Sequence, residues 1–175
     1  EMKTMKTIAE LMYQGEGTRE LQALWQAVKH WQQQGLKVAG LLNTLDESGQ
    51  KLRERVQSLT DSRMYTIMYD QGCTIDACLL DPRGLAASSE VIREALQTPP
   101  DILVFNKFGH AESENSGLIE EYAQAIGQGI PVISLLQDKY LPDWRAFTDG
   151  MGEELSSVEE VLAWGEHHVQ SHKVD

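Results

Sequence analysis

Residues 101–109 read Asp-Ile-Leu-Val-Phe-Asn-Lys-Phe-Gly. After its first residue the segment 101–105 is wholly apolar, a pattern typical of a central strand that is covered on both faces of a parallel sheet. Mostly apolar runs at residues 7–13, 37–43 and 130–136 predict further strands of the same kind. We therefore expect these four segments to form the inner strands of one mostly parallel sheet.

Helical patterns separate these strands. Apolar residues at helical spacing follow Thr18, which we expect to cap the first helix, and Gly35 ends that helix. Asp81 and Pro82 are typical of the N-cap and the first residue of another helix, which stops at residues 99–100. This alternation of strands and helices predicts helices on both faces of the sheet.

Two further helices and one hairpin complete the predicted fold. One helix is indicated over residues 118–129, and a last one begins at Ser156. The segments 53–59 and 64–70, separated by polar residues, indicate an antiparallel hairpin. The sequence therefore predicts a three-layer α/β fold with a mostly parallel central sheet and an antiparallel hairpin, in a single domain over residues 1–175.

The composition is that of an ordinary globular chain, but its formal net charge is −12. This charge repels phosphate backbones and anionic lipid, so we expect neither nucleic acid nor a membrane as partner. A small anionic ligand is compatible with it, because a loop of backbone N–H groups can bind an anion locally. The sequence has no apolar run of about 20 residues and no signal peptide at residues 1–6, so we expect a cytoplasmic protein.

Cysteine and histidine give little support for a metal site. Cys73 and Cys78 have neither a histidine nor a further cysteine nearby. His168 and His172 fall on one helical face, but no other ligand completes a site with them. We therefore predict no metal ligands in the chain.

The first candidate site is the loop Gly15-Glu16-Gly17-Thr18-Arg19, between the first predicted strand and the first helix. Ligands of such sheets bind beyond the carboxyl ends of the strands, and a phosphate-binding P-loop occupies this position. The glycines and the Thr18 hydroxyl are present, but the Gly-Lys-Ser/Thr ending is absent. Arg19 offers positive charge, whereas Glu16 repels phosphate. The predicted fold is thus P-loop-like, and the loop is either an anion site or a plain strand-to-helix turn.

The second candidate loop follows the strand at residues 101–105. Asn106 stands where a Walker B segment would place a magnesium-binding Asp, and Lys107 stands where an acid usually follows. Lys107 is therefore a candidate to neutralise phosphate in place of the missing P-loop lysine; the alternative is an Asn that caps the strand end beside a solvated Lys. His110 belongs to the same loop, and Glu112 is a candidate to contact metal or water.

Trp144 is a further candidate for the ligand site. It is predicted to lie in a loop after the last strand of the sheet, on the ligand side. An aromatic side chain at that position could stack on a nucleotide base. The alternative is that Trp144 seals the core or a homodimer interface.

Several of these segments together resemble one bacterial family. Their order along the chain is residues 78–82 (CLLDP), 101–109 (DILVFNKFG), Glu112, 129–132 (GIPV) and 144–147 (WRAF). It resembles a domain-of-unknown-function family, number twenty-four seventy-eight, over nearly the whole chain. Members of that family are often described as nucleoside-triphosphatase-like and are often encoded near molybdate-transport genes. The family is in turn similar to the small thermophile-type nucleoside triphosphatases.

The resemblance implies a fold and a ligand site. In the thermophile-type enzymes an acidic DEIG-like segment and a following Met-Glu occupy the place of residues 106–109 and Glu112, so only Gly109 and Glu112 carry over. We therefore expect a nucleotide- or phosphate-binding protein with a degenerate P-loop and slow or absent hydrolysis. If it is an enzyme, it is a nucleoside-triphosphatase-type hydrolase with Lys107 and Glu112 as its catalytic residues, and Mg²⁺ accompanies a bound nucleotide.

Two other functions stay open at this point. The first is a non-catalytic regulatory or interaction protein on the same scaffold. The second is an accessory of molybdate-type oxyanion homeostasis, which rests on the gene neighbourhood of the family alone. The expected binding residues are the same in each anion-binding case: Gly15, Gly17, Thr18, Arg19, Asn106, His110 and Trp144.

Overall fold

The computed structural model describes residues 6–68 and 81–173, with side chains as far as residue 168. Seven strands form one sheet. Their bounds are β1 (Ile8–Tyr13), β2 (Val38–Leu45), β3 (Lys51–Ser58), β4 (Met64–Thr66), β5 (Ile102–Phe108), β6 (Val132–Gln137) and β7 (Gly152–Leu155). The strand order across the sheet is β4-β3-β2-β5-β6-β1-β7.

Helices cover both faces of this sheet. Their bounds are α1 (Thr18–Gln33), α2 (Pro82–Gln97), α3 (His110–Ser113), α4 (Ile119–Gly127), α5 (Leu141–Thr148) and α6 (Val158–Lys173). One core lies between the sheet and the helices α1 and α6, and it is centred on Trp31 and Trp164. The other core lies under α2, α4 and α5, and Ile92, Tyr122 and Trp144 are buried in it. The predicted three-layer α/β arrangement is confirmed.

The directions of the strands also agree with the mostly parallel sheet predicted from the sequence. Strand β1 pairs in parallel with β6 and β7, and β5 pairs in parallel with β2 and β6. Strands β3 and β4 form the antiparallel hairpin next to β2. The four segments that the sequence placed inside the sheet, now seen as β1, β2, β5 and β6, each have a strand on either side.

Two elements differ from the prediction. Residues 141–148 form the helix α5 rather than a loop, because Trp144 and Thr148 turn one face of it into the core. The acidic strand β7 was not predicted, because it pairs only with β1 and therefore lacks the apolar pattern of an inner strand.

Some predictions fall on residues that the structure does not describe. The last residues of the segment 64–70 and both Cys73 and Cys78 lie outside the described residues, as does the side chain of His172. In the part of the chain that is described, no helix is both long enough and apolar enough to span a membrane.

Candidate functional site

The carboxyl ends of the parallel strands bring both candidate loops to one edge of the sheet. Tyr13 at the end of β1 pairs with Gln137, and Phe108 at the end of β5 pairs with Leu136. The loops after β1 and β5 therefore flank the end of the same strand, β6. Strand β3 runs in the opposite direction, so its first residue, Lys51, lies at this edge as well.

The first loop is a tight turn. Residues 14–17 alone join β1 to α1, and only Glu16 separates Gly15 from Gly17, whereas the P-loop motif spaces its two glycines more widely. Both glycines have a left-handed backbone, with φ of 68° and 74°. A Cβ atom at Gly17 would lie 2.5 Å from the Tyr13 ring, so that ring fills the space under the turn.

The cap of α1 corrects one expectation. We expected Thr18 to be the N-cap, but Gly17 holds that position and Thr18 is the first helical residue. The reason is the left-handed conformation of Gly17, which lets the chain turn directly from β1 into the helix. Since no side chain caps this helix, the amides of its first turn are left to solvent or to a ligand.

Arg19 is the second residue of α1, directly after the first loop. Its side chain is exposed and lines a shallow groove with Ser156 and Ser157, between the starts of α1 and α6. The cations that act most strongly on Lys107 are Arg53 and Lys139.

Asn106 is tied to Asn43 of β2 through both of its amide atoms. Its Oδ1 accepts a hydrogen bond from the backbone N–H of Asn43 at 2.7 Å, and its Nδ2 donates to Asn43 Oδ1 at 2.8 Å. The Asn43 carbonyl in turn accepts a hydrogen bond from the indole of Trp25 on α1. Asn106 therefore joins β5 to β2 at the point where their backbone pairing has ended.

Asn43 extends this connection to β3. The pairing of β2 with β3 is irregular after Asn43, and its Nδ2 donates to the carbonyls of Leu52 and Arg55 at 3.2 and 3.0 Å. A buried amide thus satisfies backbone groups that the irregular pairing leaves open. The same irregularity brings Arg53 to the edge beside Lys107.

Lys107 and Lys51 are the centre of a group of cations at this edge. Loss of hydration lowers the pKa of Lys107, and the nearby Arg53 lowers it further, while Glu112 and Glu16 oppose the change. The Lys107 residue as a whole is exposed. The pKa of Lys51 is lowered to about 8, chiefly because its ammonium is buried and, to a smaller extent, because Lys107 repels it. We call the four cations Lys51, Arg53, Lys107 and Lys139 the basic edge.

Lys51 also connects the basic edge to the first loop. Its Nζ donates a hydrogen bond to the carbonyl of Glu16 at 3.3 Å and lies 5.8 Å from the centre of the Tyr13 ring. Burial raises the pKa of the Tyr13 hydroxyl to about 12, so that hydroxyl stays protonated at neutral pH. Lys51 therefore contacts the first loop and lies close enough to Lys107 to be affected by its charge. That the two loops form one site stays a prediction.

Glu112 organises the second loop. Its Oε1 accepts a hydrogen bond from the N–H of Gly109, and its Oε2 accepts one from the N–H of Leu118, both at 2.9 Å. These bonds hold α3 and the turn before α4 in place. The carboxylate raises the pKa of Lys107 by attraction, but both of its oxygens already accept backbone hydrogen bonds.

His110 is exposed at the start of α3. Its Nε2 lies 3.4 Å from a carboxylate oxygen of Glu114, which is also exposed. This pair is an ion pair only when the imidazole is protonated, and in water it contributes little to stability. The structure therefore places His110 beside the loop, facing solvent.

Trp144 requires a correction. It has 0% of its surface exposed and packs against Phe108, Tyr122 and Phe147, with ring centroids 5.1 to 6.4 Å apart. A ring that is wholly enclosed has no face on which a base could stack. The alternative reading of Trp144 as a core residue is the one that the structure supports, because α5 turns it inward.

Asn106 and Glu112 lie at the positions where a P-loop enzyme organises Mg²⁺, but both already have hydrogen-bond partners. The amide of Asn106 is occupied by Asn43, and both oxygens of Glu112 accept backbone N–H bonds. Among the described residues no group of three or more His, Cys, Asp and Glu side chains is arranged to hold a metal. The edge instead collects ammonium and guanidinium groups.

Sequence reasoning missed three of the four cations of this edge: Lys51, Arg53 and Lys139. Two of them could have been found, because a strand that is antiparallel to β2 must begin where β2 ends. That rule places Lys51 and Arg53 at the carboxyl edge once the hairpin is assigned to the β2 side of the sheet. The position of Lys139 depends on the turn after β6, for which the sequence has no clear signal.

The family model described as "Protein of unknown function (DUF2478)" matches residues 8–164 of this chain. A curated relative, the molybdenum import ATP-binding protein ModC 2 of Bradyrhizobium diazoefficiens, is 34% identical over 133 residues, which are 74% of this chain. The chain spans only 15% of the length of that relative. The family match confirms the resemblance that the sequence motifs indicated.

Two solved structures are similar in fold. The solution structure of a human cancer-related nucleoside triphosphatase has a TM-score of 0.61 and 15% identity, with 95% of each chain covered. The crystal structure of THEP1 from the hyperthermophile Aquifex aeolicus has a TM-score of 0.57 and 11% identity, with 89% of this chain and 96% of that chain covered. At these identities the likeness shows that the chains share a fold.

Proposed function

The chain belongs to the DUF2478 family of proteins of unknown function, and on that premise we propose that it binds the phosphate groups of a nucleotide at the basic edge. In this proposal the first loop is a degenerate P-loop. Lys51 and Lys107 neutralise the bound phosphate, and hydrolysis is slow or absent.

The observation that carries this proposal is the basic edge itself. The chain has a net charge of −12, yet four cations meet where the two candidate loops converge. Two of them, Lys51 and Lys107, have lowered pKa values because they are poorly hydrated and close to like charges. An anion bound between the two ammonium groups would offset both their poor hydration and their mutual repulsion. Groups with shifted pKa values are concentrated at functional sites.

The relatives support a nucleotide as the ligand. One is named as an ATP-binding protein, and one solved structure of the same fold is a nucleoside triphosphatase. The uncapped first turn of α1 adds free backbone amides to the site, next to Gly17. Amides at the start of a helix are suited to a phosphate group.

The same site offers little for hydrolysis. Phosphoryl transfer depends on a positioned metal ion, on cations around the γ-phosphate and on a group that orients water. Asn106 is neutral and held by Asn43, and Glu112 already accepts two backbone hydrogen bonds. We therefore propose a protein that binds phosphate groups without turning them over at an enzyme's usual rate.

Thermal unfolding with a panel of anions tests the proposal. A ligand that binds the folded state raises the unfolding midpoint by mass action, whatever its chemistry. We expect ATP or GTP to raise the midpoint, and we expect Lys51→Ala and Lys107→Ala to remove most of the increase. Lys29→Ala is the matched control, because Lys29 is an exposed lysine on α1 outside the basic edge. If no anion raises the midpoint, the proposal fails and an interaction role on this scaffold gains support.

A second candidate function is an accessory role in molybdate-type oxyanion homeostasis. It is favoured by the relative that is named as a molybdenum import protein and that contains a counterpart of this chain within its greater length. Molybdate and tungstate belong in the same panel, with sulfate as control. A larger increase with molybdate than with sulfate or ATP would favour this function over nucleotide binding.

A further inference from the structure

We propose that the anion at the basic edge is bound without a divalent metal ion, as a phosphate monoester or a free tetrahedral oxyanion, with ammonium groups in the place of Mg²⁺. This inference rests on the proposed function, because it concerns the same site. It departs from what the fold suggests, since P-loop NTPases bind their phosphates together with Mg²⁺.

The side chain of Asn106 is oriented by a structural contact, and turning it toward a metal would strain or break that contact. Its Oδ1 accepts from the Asn43 backbone, and its Nδ2 donates to the Asn43 side chain. Asn43 is 3% exposed, and its amide also donates to carbonyls of β3. If Asn106 turned away, the buried groups of Asn43 that now pair with it would lose their partner. A metal at Asn106 would leave buried polar groups unpaired, at a cost in stability.

Glu112 is held equally firmly. Its two oxygens accept the N–H groups of Gly109 and Leu118, which are the two ends of the loop around α3. Gly117 has a left-handed φ of 62°, and a Cβ atom there would collide with Oε2 of Glu112. The carboxylate is therefore packed into its own loop, and moving it to a metal would release both ends of that loop.

Glu16 is a second carboxylate near the site, and it acts on both Lys51 and Lys107. It is exposed on the first turn, and its backbone carbonyl accepts the Lys51 ammonium. A Mg²⁺ ion commonly uses one or two carboxylates together with substrate phosphates. Here such an ion would meet a single solvated carboxylate and the repulsion of the basic edge.

The charges at the edge are sufficient without a metal. A P-loop lysine and one Mg²⁺ supply three positive charges to the phosphates. Lys51, Arg53, Lys107 and Lys139 supply four when all are protonated, and the carboxylates of Glu16 and Glu112 leave two net positive charges. A compact anion with two negative charges, such as a phosphate monoester or molybdate, fits this arrangement better than a triphosphate that already carries Mg²⁺.

Binding to the whole chain, measured by calorimetry in excess EDTA and again in excess Mg²⁺, tests the inference. The probes are inorganic phosphate, molybdate and AMP, and ATP serves as the comparison. We expect at least one of the first three to bind with the same Kd in EDTA as in Mg²⁺. Binding of inorganic phosphate or molybdate would identify a free anion as the ligand. Binding of AMP without binding of the two free anions would identify a nucleotide.

Four variants complete the experiment. In EDTA, Lys51→Met and Lys107→Met should each weaken binding about tenfold, which corresponds to about 1.4 kcal/mol. Lys139→Met, at an exposed position of the basic edge, should also weaken binding and gives a second measurement if Lys51→Met or Lys107→Met does not fold. Lys29→Met should have no effect.

Two outcomes would count against the inference in different ways. Binding that appears only with Mg²⁺, and that still depends on Lys51 and Lys107, would overturn metal independence and leave the proposed function intact. Failure of all four probes to bind in either buffer would overturn the proposed function together with the inference.

Discussion

At the scale of single residues, Glu10 is a carboxyl group in the interior of the sheet. It is 2% exposed on β1 and pairs in register with Ser134 and Glu154. Burial raises its pKa, and the indole of Trp144 partly offsets this rise, although it makes no hydrogen bond of ordinary geometry with the carboxyl. The charge of Glu154 raises the pKa further, and that of Arg145 opposes it. The fold therefore favours the protonated form of Glu10.

The first prediction concerns Glu10→Gln. A carboxyl whose pKa is raised by folding contributes stability below its unfolded pKa, about 4.3, and that contribution is lost as the pH rises through the folded pKa. The neutral amide does not ionise. We expect the variant to gain free energy of unfolding relative to the parent between about pH 4 and about pH 7, measured by urea denaturation.

The control for this prediction is Glu47→Gln, since Glu47 is exposed in the turn between β2 and β3. It should change stability little at either pH. A Glu10→Gln variant whose difference from the parent is the same at both pH values would mean that folding does not raise the pKa of Glu10.

At the scale of elements, the pair of Asn43 and Asn106 joins three strands. It connects β5 to β2 by two hydrogen bonds, and Asn43 continues to β3. The contact lies directly beneath the basic edge, because Lys107 follows Asn106 on β5. The position that would carry a metal-binding Asp in a P-loop enzyme thus holds the strands together here.

The second prediction is the effect of Asn106→Asp, which introduces that carboxylate. An ionised Asp cannot donate to Asn43 Oδ1, so two oxygen atoms would face each other at a partly buried position. We expect the free energy of unfolding to fall by about 1–3 kcal/mol, with no gain in Mg²⁺-dependent phosphate release. Denaturant unfolding and a phosphate-release assay measure the two effects.

Asn115→Asp is the control, because Asn115 is exposed in the loop after α3. A stable Asn106→Asp protein that hydrolyses ATP would contradict the structural role of Asn106. It would instead indicate that this position can organise Mg²⁺ once it carries a charge.

Element by element, the sequence predicted those parts of the fold in which local pattern and environment agree. The inner strands β1, β2, β5 and β6 are apolar because both of their faces are covered. Strand β7 reads Gly-Glu-Glu-Leu and was missed, since it pairs on one side only. Trp144 was misplaced because its burial depends on how α5 packs across the sheet, and no local pattern carries that information.

The candidate site was predicted only in part, for a related reason. Residues next to each other in the sequence, such as Asn106 and Lys107, were found from their position after a strand. Lys51 and Arg53 come from another part of the chain, and their approach to Lys107 follows from strand order. Whether these groups bind a ligand stays a prediction.

At the scale of the whole molecule, the net charge is −12, and the proposed anion binding at the basic edge should depend on pH because one cation there titrates near neutral pH. The pKa of Lys51 is lowered to about 8. Its positive charge is present below that pH and is lost above it. The third prediction is therefore that the affinity for phosphate or a nucleotide falls as the pH rises through about 8.

Lys51→Arg is the variant that tests the cause, since a guanidinium keeps its proton over the whole range. Titrations below and above pH 8 should have a smaller pH dependence in this variant than in the parent. An equal dependence in both proteins would assign the effect to Lys107 or to the ligand.

The fourth prediction is that the whole protein has little nucleoside triphosphatase activity. Losing one preorganised electrostatic contact commonly costs about 3–4 kcal/mol of barrier, a factor of hundreds or more. This chain lacks the P-loop lysine, the metal-binding Asp and the acid after it. Steady-state phosphate release with Mg²⁺ and each common nucleoside triphosphate measures the activity.

One result would reverse this reading of the site. A turnover of about one per second, in the range of ordinary enzymes, that disappears in Lys107→Ala or Glu112→Gln would mean that the active site is rearranged. Lys29→Ala should leave any such turnover unchanged, because Lys29 is exposed on α1 outside the site.

Lys6, two residues before β1, lies against the last helix. The carbonyl of Lys6 accepts hydrogen bonds from the Trp164 indole and the His168 ring, at 2.7 and 2.8 Å. The segment before β1, the first strand, therefore lies beside α6, the last helix. A domain of this kind can be spliced into a surface loop of a larger host protein, because the two junctions are neighbours and neither the host loop nor the sheet has to be stretched.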